Sequence, residues 1–323
     1  MAHCEIAVFD CDGEERQLFS KELRLSGVCA EMHDVPLDAD SARRVSAGCA
    51  VSVSHRFPVD AAAIACLRGR GVRYLTTRSI GVDHIDLCAA ARLGVEVEPT
   101  AYSPQSVAEH TLLLMLMAIR GVRPMLDRVR RLDFRLGSVR ARELREMTVG
   151  VVGTGRIGRA VLDRLRGFGC RTLAYDPMPG ADVRYVGFET VLQESDLITL
   201  HLPLTAGTRH IISRESIGRM RAGAILVNAA RGGLVDSDAL ADALEEGRLA
   251  GAALDVVEGE TGWFYFDCSG RREAPPFERL LRLPNVILTP HTAFYTRPAC
   301  EDVVRNTIAN CLEHTGRREK WIS

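Results

Sequence analysis

The first hundred residues alternate short apolar runs with polar stretches of helical composition: "EIAVFD" at 5–10, "CAVSVS" at 49–54, "RYLTT" at 73–77 and "VEVEP" at 95–99. Strands separated by helical segments predict a parallel sheet with crossover helices. A helix then opens in "AYSPQSVAEHTLLLMLMAIRGVRPML", with Ser103 expected at the N-cap and Pro104 at the first helical position. It is unusually apolar, which implies burial between domains or against a second subunit. From Thr148 a second series follows: "TVGVVG", "RTLAYD", "LITLHLP", "AILVNAA", "GAALDVV" and "NVILTP". Six such runs match a doubly wound nucleotide-binding sheet. The segment 297–323 follows this series, is too short to form a domain, and is expected to return to the first.

The pattern thus predicts an α/β protein of two doubly wound parallel-sheet domains: a flavodoxin-like substrate or catalytic domain at 1–100, joined by 297–323, and a Rossmann dinucleotide-binding domain at 101–296. A length of 323 residues suits two domains. Charge is nearly balanced, with 41 Lys+Arg against 42 Asp+Glu, so no whole-molecule field attracts nucleic acid or an anionic membrane. The expected partner is a small molecule. The N-terminal residues lack the pattern of a signal peptide and "TLLLMLMAI" is too short to span a bilayer, which predicts a cytoplasmic protein. Ten cysteines form no metal-ligand spacing and read as reduced small hydrophobes, and no metal is expected. Lysine occurs only at 21 and 320, a bias that points to GC-rich coding.

Within "TVGVVGTGRIGRAVLDRLRGFGCRTLAYDP", Gly153, Gly155 and Gly158 form G-x-G-x-x-G between an apolar strand and a helix. They suit a tight turn, close approach to a pyrophosphate, and helix-to-strand packing, with the N–H groups near Arg156 and Ile157 facing the phosphates. Asp176 stands 18 residues after Gly158 at the end of the next strand. A carboxylate there accepts from the ribose hydroxyls and repels a 2′-phosphate, which predicts NAD (NADH) over NADPH. Arg231, Glu260 and His291 each lie beyond an apolar run, 29 and 31 residues apart. Ligands of doubly wound sheets bind beyond the carboxyl strand ends, so the three are expected in one crevice. Arg231 suits a substrate carboxylate or carbonyl oxygen, His291 suits an acid for a carbonyl oxygen receiving hydride, and Glu260 suits an orienting partner.

The motifs "RSIGVDHID", "AYSPQSVAEHT", "GVVGTGRIG", "HLPLT", "NAARGGLVD", "ALDVVEGE" and "TPHTAFYT" make the whole chain similar to the NAD-dependent D-2-hydroxyacid dehydrogenases. Its D-lactate dehydrogenase branch, including the VanH type of vancomycin-resistance clusters, is the most similar. The resemblance implies Arg231, Glu260 and His291 as the active-site trio, with His291 as proton donor. It places cofactor contacts at Arg156, Ile157, Asp176, Leu202, Pro203, Thr208, Ala229, Ala230 and Asp255, the last two near the nicotinamide carboxamide. Backbone N–H groups of Ile80 and Gly81 would grip the substrate carboxylate. The aromatic-rich stretch after Glu260 and "TAFYT" suggest an apolar wall of Phe294, with Tyr295 or Tyr102, beside a short 2-oxo acid; pyruvate is the expected substrate. A homodimer through the helix near Ser103 and a supply of D-lactate for cell-wall precursors ending in D-alanyl-D-lactate are further expectations. Other D-2-hydroxyacid dehydrogenases, acting on hydroxypyruvate or glyoxylate or in fermentative D-lactate metabolism, and a dinucleotide-sensing corepressor, are the alternatives. Turnover of NADH with pyruvate separates the enzymes from the corepressor.

Overall fold

The structure, a computed structural model, describes residues 4–11, 13–137, 140–180 and 183–315. It divides into two compact units, 1–103 with 295–323, and 104–294; of the returning segment, 316–323 lie outside the described residues.

In the first unit five parallel strands, β1 (Ile6–Val8), β2 (Ala30–Met32), β3 (Ala50–Val53), β4 (Tyr74–Thr77) and β5 (Glu96–Pro99), lie in the order β2-β1-β3-β4-β5. β1, β3 and β4 are buried throughout, the pattern of strands covered on both faces. β2 was not expected from the sequence. It is a half-buried edge strand with Glu31 at its centre, so no apolar run marks it. One face is covered by the Gly13–Ser26 helix and by the returning Arg297–His314 helix, whose Val304, Ile308, Cys311 and Leu312 join Ile6, Val8, Phe19 and Tyr74 in one cluster. The Ala61–Gly69 helix covers the other, with Ile64 and Leu67 against Val51, Val53 and Leu75.

In the second unit six parallel strands, β6 (Thr148–Val152), β7 (Arg171–Tyr175), β8 (Leu197–Leu200), β9 (Ala224–Asn228), β10 (Leu249–Leu254) and β11 (Val286–Leu288), take the order β11-β10-β9-β8-β6-β7. Each coincides with an expected run. Beyond β7 a single parallel bridge, Ala174↔Tyr185, stands where a dinucleotide-binding sheet places a further strand. The Gln105–Ile119 helix buries Val107, Ala108, Thr111, Leu114 and Met115. Its start differs from expectation. Pro104 occupies the N-cap, no side chain caps it, and the Ser103 N–H instead donates to Asp302 in the first unit. The following Val122–Arg130 helix buries none of its residues; Met125, Leu126 and Val129 are exposed, as are Leu132, Phe134 and Leu136 just beyond it.

Candidate active site

The dinucleotide loop is shaped by contacts that only glycine permits. Gly153 has φ +93°, and a Cβ there would lie 2.5 Å from the His201 carbonyl oxygen; one on Gly158 would lie 2.0 Å from the Gly153 carbonyl oxygen. A Cβ on Gly155, by contrast, meets nothing within 4 Å. Gly155 is also the N-cap of the Arg156–Arg166 helix and offers no capping side chain, which leaves the first-turn N–H groups to an anion. At the end of β7 the Asp176 carboxylate accepts from Thr154 N (2.7 Å), Thr154 Oγ1 (3.0 Å) and Met178 N (2.9 Å). Burial pushes this carboxyl up, but the bonds from Thr154 and Met178, with the Arg159 charge, outweigh it and hold it below its ordinary value. An ionised carboxylate therefore flanks the loop. These features fit a dinucleotide: open backbone at Gly155, a bare helix start, and an acceptor for ribose.

Of the other expected cofactor residues, Leu202 and Ala229 are buried, Ala230 is half-buried, and Pro203 is exposed. The Thr208 hydroxyl closes its own loop, donating to Pro203 O (2.7 Å) and accepting from Thr205 N (2.8 Å).

The trio follows three adjacent strands. Arg231 comes three residues after β9, Glu260 six after β10 and His291 three after β11, and these strands are neighbours in the sheet. Gly232 draws the first two loops together: a Cβ there would sit 2.2 Å from the Val257 carbonyl carbon, so any larger residue would separate the Arg231 turn from the Val257–Glu260 turn. Glu260 is fixed at both oxygens, Oε2 accepting from Val257 N (2.7 Å) and Oε1 bonding His291 Nδ1 (2.7 Å). An ionised carboxylate only accepts, so Nδ1 carries the hydrogen and Nε2 is the nitrogen that exchanges a proton with substrate. Arg231 donates through one arm to the Ala230 carbonyl (2.8 Å), and its own carbonyl accepts from the Asn228 amide (2.9 Å).

His291 has φ +54°, the left-handed region that a non-glycine residue occupies only under constraint. Asp255 supplies that constraint. Its backbone carbonyl accepts from His291 N (2.7 Å), and its carboxylate accepts from Thr289 Oγ1 (2.6 Å), Thr292 N (3.0 Å) and Ala293 N (2.9 Å). The Asp255 side chain is wholly buried. Burial pushes its carboxyl up, yet the bonds from His110, Thr289, Thr292 and Ala293 prevail and hold it below its ordinary value. The sequence expectation put Asp255 at the cofactor; here its side-chain oxygens are taken up by the turn that carries His291.

Two aromatic rings flank the imidazole. Phe294 stands edge-on at 6.2 Å, and Tyr265 lies at 6.1 Å with its hydroxyl donating to the His291 carbonyl (3.0 Å). Tyr265 escaped sequence reasoning. Its only signal was the aromatic-rich stretch after Glu260, in which Phe264 and Phe277 are buried core and Trp263 stacks under Arg271. Ile80 and Gly81 lie in the loop after β4 in the first unit, at the carboxyl edge of its sheet. In the same unit Tyr102 is buried after β5, and Tyr295 is exposed.

Compared with known proteins, residues 112–293 match the family model described as D-isomer specific 2-hydroxyacid dehydrogenase, NAD binding domain. The chain is 48% identical over 314 residues to a D-specific alpha-keto acid dehydrogenase of Enterococcus faecalis, covering 95% of each. This chain belongs to the D-2-hydroxyacid dehydrogenase family. A D-specific alpha-keto acid dehydrogenase of Enterococcus faecium is 47% identical over 99% of both chains. A solved D-lactate dehydrogenase from Aquifex aeolicus, complexed with NAD and lactic acid, superimposes with TM-score 0.87 at 31% identity, covering 98% of this chain and 97% of that one. The protein is accordingly an NAD-dependent D-2-hydroxyacid dehydrogenase.

His201, beneath the dinucleotide loop, generates a pH prediction. Its Nδ1 is buried without a hydrogen-bond partner, and burial pushes the imidazole down to about 3 from 6.5. Between those values the unfolded chain takes up a proton that the folded protein refuses, so stability is present above pH 6.5 and falls as pH drops, by up to ~1.4 kcal/mol per unit. His201→Leu should remove that one-proton slope in urea unfolding between about pH 6 and pH 4; an unchanged slope would place the proton uptake elsewhere. Gly158→Ala should abolish tight NADH binding, read by fluorescence titration, because its methyl would overlap the Gly153 carbonyl.

Proposed function

We propose that the protein reduces pyruvate and other short 2-oxo acids to D-2-hydroxy acids with NADH, acting as a D-lactate dehydrogenase. The observation that carries this reading is the Glu260–His291 pair, 2.7 Å apart, standing with Arg231 beyond three adjacent strands. In the forward direction Arg231 orients the 2-oxo acid by charge-assisted hydrogen bonds. His291 Nε2 then gives its proton to the carbonyl oxygen as C2 gains hydride, and takes it back in the reverse direction. NADH, when bound, supplies the hydride. Phe294, beside the imidazole, favours a small apolar substituent on C2. In this reading Ala229, Ala230, Leu202, Pro203 and Thr208 line the cofactor, and Asp176 selects NADH.

The finer part of the proposal, a supply of D-lactate to D-alanyl-D-lactate precursors in the cytoplasm and hence a role in vancomycin resistance, rests on the resemblance of the sequence motifs to the VanH type. A homodimer is part of the same proposal, but its contact moves from the helix near Ser103, which buries most of its apolar side chains, to the Val122–Arg130 helix and the residues after it, whose exposed apolar side chains suit a second copy.

Three outcomes test this. His291→Asn should lower kcat/KM for pyruvate by about 100- to 10,000-fold, the range of general acid–base catalysis, while NADH still binds; full turnover would refute the assignment. In steady-state assays with both cofactors, Asp176→Ser should shift the NADH-to-NADPH preference toward NADPH by about tenfold, the equivalent of ~1.4 kcal/mol. Sedimentation should give a dimer that Leu126→Glu and Val129→Glu together convert to monomer.

A further inference from the structure

His110 takes no part in the chemistry just described, yet its side chain reaches the group that holds the catalytic turn. It projects from the Gln105–Ile119 helix, and its Nε2 lies 3.1 Å from Thr289 Oγ1 and 3.3 Å from Asp255 Oδ1. The hydrogens can be assigned by elimination. The one hydroxyl hydrogen of Thr289 goes to Asp255 Oδ1 at 2.6 Å, and an ionised carboxylate donates nothing. Nε2 must therefore carry the hydrogen, shared between the Thr289 oxygen and the Asp255 carboxylate. Among the described residues four donors thus converge on the Asp255 carboxylate: the Thr289 hydroxyl, the Thr292 and Ala293 N–H groups, and His110. The first three belong to the segment around His291 and move with it. Only His110 comes from a separate helix.

We propose that His110 is a positioning residue for the catalytic histidine: its Nε2–H clamps Asp255 and Thr289 together and, through them, fixes the turn that aims His291. This inference rests on the reading of His291 as proton donor. Thr289 precedes Pro290, which confines it to extended backbone, and His291 follows at φ +54°, so the turn has little intrinsic preference for its observed shape. A small rotation there would swing Nε2 away from the substrate oxygen, and displacement of about 1 Å at a reacting group lowers turnover by about 100-fold.

The test is the kinetics of His110→Leu and His110→Gln with pyruvate and NADH, alongside NADH affinity by fluorescence titration. Leucine fills the space without a donor, whereas the glutamine amide nitrogen restores one near the Nε2 position. Leu should lower kcat by roughly 10- to 100-fold with NADH affinity unchanged within about twofold, and Gln should recover most of kcat. If the Leu variant does not fold, Thr289→Ser and Thr289→Val carry the same comparison, Ser keeping the shared hydroxyl and Val losing it. The proposal is overturned if His110→Leu turns over as the wild type, if Gln is as impaired as Leu, if Thr289→Val is as active as Thr289→Ser, or if NADH affinity falls in step with kcat. A fully active His291→Asn variant would remove the underlying reading instead. An inactive His291→Asn beside a fully active His110→Leu would remove this inference alone.

Discussion

The buried carboxylate of Asp255 is the constraint on which the site depends. A charge with no solvent contact is tolerable only when its oxygens are hydrogen-bonded, and this one takes donors from Thr289, Thr292 and Ala293 on the segment around His291. The same residue's backbone carbonyl accepts from His291 N. Satisfying Asp255 and shaping the His291 turn are therefore one event. The left-handed conformation of His291, unfavourable in isolation by ~1–3 kcal/mol, persists because leaving those donors and that charge unpaired in the interior is worse.

Orientation of the ring is a separate layer. Glu260 bonds Nδ1 while its second oxygen is held by Val257 N, so the acceptor itself cannot rotate. The Val257 turn lies flush against Gly232, whose missing side chain is the reason Arg231 and Glu260 stand on adjoining loops. The Tyr265 hydroxyl on the His291 carbonyl adds a third restraint. Such a site, built on strand ends rather than on long loops, keeps its reacting groups aligned before substrate arrives, the condition for positioning to contribute to rate.

Much of this was legible in the sequence because the relevant signals are periodic or local. Fully buried parallel strands write themselves as apolar runs, and all six strands of the second unit were marked in that way; the glycine spacing of 153–158 announced a turn whose close contacts the structure displays. β2 was invisible because an edge strand needs no apolar run, and Glu31 interrupts it. Ser103 is a serine before proline, the composition of a helix start, but the helix begins one residue later, with Pro104 at the N-cap. Asp255 enters the sequence reading only as a cofactor contact that the family resemblance implies. Its structural work depends on N–H groups more than 30 residues onward, which no local pattern encodes.

The same reasoning explains why the residues around the imidazole divide into those a sequence reveals and those it conceals. Arg231, Glu260 and His291 stand out together, because each follows an apolar run and the three recur at about the length of one strand-helix unit, though singly each reads as a surface charge or a structural residue. Tyr265 and His110 sit in segments with ordinary explanations, an aromatic-rich insertion and an apolar helix. Only their hydrogen-bond partners, the His291 carbonyl for one and the Asp255–Thr289 pair for the other, set them apart. In a site whose function is a proton aimed at one oxygen, the groups that do the aiming bond to backbone and to each other, so their chemistry becomes apparent only once the chain is folded.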